Sequence, residues 1–115
     1  MRTAHRYPKQ ARALISAPGT TVFVSAVSLW EIRLKESLGK LRLPRDFEAK
    51  LTAESFENLP LTREQTRLVA LLPWHHRDPF DRMLVAQAQS ENLILLTADE
   101  VVTLYGDFVR FAGGA

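Results

Sequence analysis

The chain contains no cysteine, which excludes disulfide bridges, thiolate zinc sites and thiol nucleophiles. It has no apolar run near the roughly 18 residues that a membrane helix requires, and residues 1–9 lack the apolar stretch of a secretory signal. It also lacks a glycine-rich phosphate loop, which argues against a nucleotide-binding α/β domain. These absences predict a globular protein whose default location is the cytoplasm.

The length and composition are those of one globular domain. The chain has 115 residues, of which 46% are hydrophobic and 24% charged, so residues 1–115 are expected to form a single domain. The net charge of +2 conceals an asymmetry, because residues 1–19 are purely basic whereas residues 51–115 hold nine acids against five arginines. A basic start favours a phosphate-bearing partner, and an acidic half that handles such a partner needs a cation. The alternative is that these charges are simply solvated faces.

The apolar pattern alternates between strand-like and helix-like segments. Short runs rich in β-branched and aromatic residues predict strands at 21–24, 56–61, 93–97 and 108–111. Helical patterns occupy 9–17, 28–38, 45–54, 62–72 and 79–90, with a short helix after Asp99. Apolar strands between helices predict an α/β fold in which helices cover both faces of a mostly parallel sheet.

Capping patterns mark where several helices begin. Ser28 and Glu31 have the spacing of a capping box, as do Thr62 and Gln65. Asp78 is a suitable N-cap for the helix that Pro79 opens, because proline is favoured at the first helical position.

Three acids, Glu31, Asp81 and Asp99, are expected in the first turns of helices, and Glu31 and Asp99 follow the two clearest strands. Taken singly, each acid has a structural explanation as a helix cap. Taken together, they are predicted to converge at the edge of the sheet where the parallel strands end, since ligands bind there. Carboxylates brought close together must protonate or bind a cation, and oxygen ligands without cysteine favour Mg²⁺ or Mn²⁺. Such an ion suits phosphodiester hydrolysis.

Four segments, in order, resemble PIN-domain ribonucleases, and most closely the VapC-type toxins of bacterial toxin–antitoxin pairs. The segments are 23–32 (FVSAVSLWEI), 39–41 (GKL), 75–84 (HHRDPFDRML) and 96–99 (LTAD). The resemblance covers residue 10 to the C-terminus. It implies a three-layer α/β/α fold and a Mg²⁺- or Mn²⁺-dependent endoribonuclease.

The resemblance also implies roles for individual residues and partners. Glu31, Asp81 and Asp99 match the family's catalytic, metal-binding acids, and Thr97 matches a residue that hydrogen-bonds a carboxylate or the metal-bound water. The expected partners are an RNA substrate, a cognate antitoxin that inhibits the enzyme, and a second copy in a homodimer.

The sequence departs from the family at its beginning. Family members open with an apolar strand that ends in the first metal-binding aspartate and lies between the strands at 22–24 and 93–97. Here the first acidic residue is Glu31, so the fold is expected to be N-terminally truncated, with residues 1–8 poorly ordered. One hypothesis is that Met1 is a misassigned or internal start. The alternative is a decayed toxin, a catalytically impaired remnant that only binds an antitoxin or another protein.

Other residues near the acids have weaker interpretations. His75 and His76 are expected to be solvent-exposed or to contact RNA phosphate, because adjacent side chains point in different directions. Asp78 has a possible auxiliary role near the metal. Arg82 is interpreted either as a group that orients a phosphate or neutralises the acids, or as a plain surface charge. Two tryptophans have different expected places, Trp30 in the core and Trp74 on an exposed platform or dimer contact.

Overall fold

The computed structural model describes residues 19–112, so the predicted helix at 9–17 and residues 1–8 lie outside it. The order of elements is β1 (Phe23–Ser25), α1 (Ala26–Ser37), α2 (Phe47–Ala53), β2 (Glu57–Leu59), α3 (Arg63–Val69), α4 (Pro79–Glu91), β3 (Leu95–Thr97), a 3₁₀ helix (Glu100–Tyr105) and β4 (Val109–Phe111). The alternation of helices and strands confirms the predicted α/β class. In this part of the chain no helix is long and apolar enough to cross a membrane.

The strands pair in parallel but form two sheets. β1 pairs with β2, with Phe23 opposite Glu57, and β3 pairs with β4, with Leu95 opposite Val109. The parallel pairing agrees with the sequence prediction. Over residues 19–112, however, β1 and β3 are not neighbours in one sheet, and each has one paired edge.

A cavity of about 300 Å³ lies between β1 and β3. Phe23 lines one side and Leu95 and Leu96 the other, while Leu84 and Ala88 of α4 also contribute to its lining. Within residues 19–112, the two sheets are therefore held together through α4 and not through a hydrogen-bonded ladder.

Helix α4 forms the centre of the molecule. Val85 and Ala86 are completely buried, and they pack in one cluster with Leu72, Val102 and Val109. The core thus joins α4 to the chain segment after α3, to the 3₁₀ helix and to β4. Burial of side chains of this size contributes roughly 1.5–3 kcal/mol each, so α4 is the element whose position is fixed most strongly.

The caps decide where the helices begin. The Thr62–Gln65 capping box is confirmed, since each side chain bonds the other residue's backbone N–H. The Ser28–Glu31 capping box is wrong, because α1 begins at Ala26 with Ser25 as its N-cap. The strand ends at Ser25, so the earlier serine caps the helix. Ser28 is buried within the first turn, and Glu31 falls in the second.

A buried amide network ties β1 to α3 and α4. Ser25 Oγ donates to Gln87 Oε1, and Gln87 Nε2 donates to Gln65 Oε1 at 3.1 Å and to the Pro60 carbonyl at 3.3 Å. Both glutamines are at most 1% exposed. Among the residues that the structure describes, no buried side-chain nitrogen or oxygen lacks a partner. The network therefore fixes the relative positions of β1 and α4 without an unsatisfied polar group.

Candidate metal centre

Two of the predicted acids are positioned by helix starts. Asp81 lies in the first turn of α4, and its backbone N–H donates to the Asp78 carboxylate at 3.1 Å. Asp99 follows β3 and caps the 3₁₀ helix, accepting from the Val101 N–H at 3.0 Å. The N-cap interpretations of Asp78 and Asp99 are confirmed. Asp78 positions Asp81 by fixing the first turn of the helix.

Thr97 positions Asp99 through the backbone. Its Oγ1 accepts a hydrogen bond from the Asp99 N–H at 3.1 Å, and the Thr97 residue is only 4% exposed. The sequence prediction placed this hydroxyl on a carboxylate or on a metal-bound water. In the structure it holds the turn that carries Asp99 at the carboxyl end of β3.

A histidine joins the two acids. His76 Nε2 lies 2.7 Å from Asp99 Oδ2 and 3.7 Å from Asp81 Oδ2. One potential ligand atom from each of the three residues lies within 4.8 Å of the others. The structure thus brings Asp81 and Asp99 together, as the sequence predicts for the end of a parallel strand. We call His76, Asp81 and Asp99 the metal-site cluster.

The hydrogen bonds of His76 fix which nitrogen carries the proton. Its Nδ1 accepts from the Asp78 N–H at 2.9 Å, so Nδ1 is unprotonated in the neutral ring and Nε2 carries the hydrogen. Nε2 therefore donates to Asp99 and has no free lone pair for a metal. His76 acts as a positioning residue for the Asp99 carboxylate.

The carboxylates also set the protonation of His76. The hydrogen bond to Asp99 raises the pKa of His76 above its usual value of 6.5, desolvation opposes this, and the charges of Asp81, Asp99 and Asp78 add to it. Protonation would also break the neutral bond from the Asp78 N–H to Nδ1. The attraction of the charged ring to the neighbouring carboxylates nevertheless raises the pKa of His76.

Sequence reasoning set His76 aside because two adjacent histidines rarely bind one ion. In the structure His76 contacts the acids by holding the Asp99 carboxylate through Nε2–H. The ring of His75 instead packs edge-on against Tyr105, with centroids 4.9 Å apart. The Tyr105 hydroxyl accepts from the His76 N–H at 3.2 Å. In the sequence, a role for His76 near the acids is indicated by its position just before the helix start that carries Asp81.

Glu31 has a different partner from the other two acids. Its carboxylate pairs with Lys35 Nζ, one turn further along α1, at 3.1 Å. The expected placement of Glu31 in the first turn is wrong, since α1 has no acid there. The start of α1 nevertheless lies against the start of α4, because the rings of Trp30 and Phe80 contact edge-on with centroids 4.8 Å apart. Glu31 is thus not part of the metal-site cluster.

Arg82 is buried, and its interpretation as a plain surface charge is wrong. The residue is 4% exposed, and its guanidinium donates to the carbonyls of Pro73 at 2.9 Å and Val69 at 3.1 Å. It also donates to the Tyr105 hydroxyl at 3.0 Å. These bonds direct the guanidinium at the segment between α3 and α4. Arg82 therefore anchors the path of the loop that carries His76.

The two tryptophans are both exposed. Trp74 is 74% exposed, so its predicted exposure is confirmed. Trp30 is 60% exposed, and its predicted place in the core is wrong. The buried residues of α1 are Val27 and Ser28, so the helix turns Trp30 away from the interior.

Comparison with known families agrees with this geometry. The model of the PIN domain matches residues 3–106 of the chain. The chain belongs to the PIN-domain family. PIN domains are generally metal-dependent nucleases, and members of the family bind RNA. Comparisons with curated proteins and with solved structures find no match.

The residues present fit the divalent ion that PIN domains typically use. Asp81 and Asp99 offer hard carboxylate oxygens, and the chain has no thiolate. Mg²⁺ is usually bound through one or two carboxylates and keeps several waters. The donor set therefore suits Mg²⁺ or Mn²⁺.

Proposed function

We propose that this PIN-domain protein is a Mg²⁺- or Mn²⁺-dependent endoribonuclease that hydrolyses RNA phosphodiesters. The observation that carries the proposal is the convergence of the Asp81 and Asp99 carboxylates with His76 at one end of β3. Two carboxylates this close repel each other, and a divalent cation relieves that repulsion. Asp81 and Asp99 would hold the ion directly.

The chain's own residues divide the work at this site. A divalent ion supplies activation of water and neutralises charge on the phosphate in the transition state. His76 holds the Asp99 carboxylate in place through its Nε2–H. Glu31 is proposed as the third catalytic, metal-binding acid, as the family resemblance implies. The contact between Trp30 and Phe80 supports this role, because it brings the part of α1 that carries Glu31 close to the start of α4.

We also propose that the protein is a VapC-type toxin that acts in the cytoplasm, forms a homodimer and is inhibited by a cognate antitoxin. An apolar stripe on α1 supports a protein partner. Trp30, Leu34 and Leu38 follow one another at intervals of four residues, and they are 60%, 39% and 59% exposed. Side chains at this spacing lie on one face of a helix, which is the form that a protein-binding face takes.

A second function is a binding module without catalysis. The separation of the two sheets and the cavity between β1 and β3 favour it, because a site at the end of an interrupted sheet is held less rigidly. This candidate predicts antitoxin binding without metal-dependent turnover and without growth arrest on expression.

Cleavage of single-stranded RNA tests the two functions against each other. The purified protein should cleave the RNA with Mg²⁺ or Mn²⁺, and EDTA should abolish the reaction. Asp81→Asn and Glu31→Gln should each lower the rate by about 100-fold or more, the size expected when a group that stabilises transition-state charge is lost. Glu100→Gln, next to Asp99 but exposed, is the matched control and should cleave normally.

A contaminating nuclease is identified by purifying the variants in parallel. Cleavage that persists unchanged in both Asp81→Asn and Glu31→Gln would contradict the assignment of these acids. Absence of cleavage by a folded wild-type protein that still binds antitoxin would favour the binding module.

A further inference from the structure

Trp74 presents one face of its ring to solvent and has the other face covered. The Arg82 guanidinium carbon lies 3.7 Å from the centre of the Trp74 ring, so the inner face stacks on a cation. Arg82 is itself immobilised by its bonds to Pro73, Val69 and Tyr105. The residue remains 74% exposed. An exposed indole held in this way loses little freedom when something stacks on its outer face.

This ring is attached to the same scaffold as the metal-site cluster. Trp74 precedes His76 by two residues, a span of at most about 7 Å along an extended chain. The Tyr105 hydroxyl accepts from both the His76 N–H and Arg82 Nη1. One hydroxyl therefore links the residue that positions Asp99 to the residue beneath Trp74. The backbone that carries Trp74 therefore lies close to His76, whose side chain reaches Asp99.

The flanking side chains favour an anionic chain as the partner at this ring. His75 and Arg77 are both exposed and lie in the same short loop. Their positions suit hydrogen bonds to the phosphates of a nucleic acid, since the backbone accepts most protein–nucleic acid hydrogen bonds. Leu71, also exposed in this region, offers apolar area without a π face. Trp74 has the largest flat ring for stacking on a base, whereas the smaller ring of His75 already packs edge-on against Tyr105.

We propose that the outer face of Trp74 stacks on an unpaired base of the RNA, next to the phosphodiester held at Asp81 and Asp99. This inference rests on the proposed endoribonuclease function and adds a base-binding residue to it. A base inside a duplex has both faces covered by its neighbours, so the platform selects single strands or loops over paired RNA. Trp74 is a binding residue that sets which nucleotides reach the metal.

The experiment measures RNA binding in a Trp30→Phe, Asp81→Asn background. Cleavage is slowed by about 100-fold or more there under the proposed function, and Trp74 is the one remaining tryptophan. A single-stranded 12-residue oligoadenylate should quench the Trp74 fluorescence on binding. The same strand annealed to its complement should quench much less. Because binding is measured apart from cleavage, failure of the wild-type protein to cleave leaves this result interpretable.

The variants use the same RNA carrying a fluorescent label, with affinity read from anisotropy. Trp74→Ala should weaken binding by about tenfold or more, the loss expected for one base–aromatic stack. Trp74→Phe keeps a ring and should recover most of the affinity. Leu71→Ala removes a comparably exposed apolar side chain without a ring and should bind normally.

Three results would overturn the proposal, provided that circular dichroism shows the variants folded. They are an affinity for Trp74→Ala within about twofold of the background, an equal loss in Leu71→Ala, and equal quenching by single-stranded and duplex RNA. The first would leave Trp74 as a surface for a protein partner, the second would indicate a general apolar contact, and the third would remove the preference for unpaired bases.

Discussion

The Nε2 atom of His76 lies 2.7 Å from Oδ2 of Asp99, and it donates because Nδ1 already accepts from the Asp78 backbone. This pairing joins the loop before α4 to the turn after β3. It directs the imidazole to hold a carboxylate and not to bind a metal itself. Outer partners of this kind orient metal ligands and raise their effectiveness.

Replacing His76 should therefore weaken metal binding without removing a ligand. We expect His76→Ala to lower Mn²⁺ affinity by about 10- to 100-fold, the usual cost of losing an outer partner of a metal ligand. His76→Gln retains an N–H donor and should restore part of the affinity. Titration calorimetry with Mn²⁺ measures both. Equal affinities for wild type and His76→Ala would show that Asp99 does not depend on this bond.

The pKa of His76 should be raised in the metal-free protein. NMR titration of the ring should give a value above 6.5, because the carboxylates, led by Asp99, favour the charged ring. The folded pKa exceeds the unfolded one, so His76 stabilises the fold fully below about pH 6.5 and this contribution is lost as the pH rises through the folded pKa. Asp99→Asn should move the pKa down. A pKa that does not change in Asp99→Asn would contradict this cause.

Loss of the buried guanidinium at position 82 should destabilise the fold. Arg82→Met keeps much of the side-chain volume but leaves the carbonyls of Val69 and Pro73 without their donor. Hydrogen bonds to a charged group contribute about 1.5–3 kcal/mol each, so the loss of these bonds should lower the free energy of unfolding by about 3 kcal/mol. Urea denaturation measures the change. Arg77→Met, the exposed arginine of the same loop, should change stability by less than about 0.5 kcal/mol.

The cavity between β1 and β3 should distinguish two alanines on α4. Ala88 lines the cavity, whereas Ala86 is fully buried in the core cluster. Ala88→Leu should therefore be tolerated or raise the melting temperature by a few degrees, since filling an empty space adds contacts. Ala86→Leu should cost about 1–3 kcal/mol through overpacking. Thermal denaturation of the pair measures both, and similar losses in the two variants would show that the cavity is not available to a side chain.

Much of the site follows from local rules that a sequence displays. Asp78 and Pro79 specify where α4 begins, which puts Asp81 in its first turn. The segment 95–97 reads as a strand, and Asp99 follows it. Parallel pairing then brings such chain ends to one edge, so the meeting of Asp81 and Asp99 could be predicted.

Other features depended on contacts between distant parts of the chain. Arg82 looks like a surface residue in sequence, yet the loop from α3 wraps around it. His76 reaches Asp99 because Tyr105, 29 residues further along, holds its backbone. Trp30 was predicted to be buried, but α1 packs with Val27 and Ser28 towards the interior and leaves Trp30 exposed.

The amino-acid sequence by itself determined the α/β class, the parallel direction of the strands, most helix starts and the two acids at the end of β3. Each of these follows from periodicity or capping within a few residues. Tertiary structure alone decided that a histidine orients Asp99, that an arginine is buried beneath an exposed tryptophan, and that the strands split into two sheets around a cavity. Those outcomes depend on which backbone groups remain to be satisfied once the chain has packed, and no local stretch contains that information.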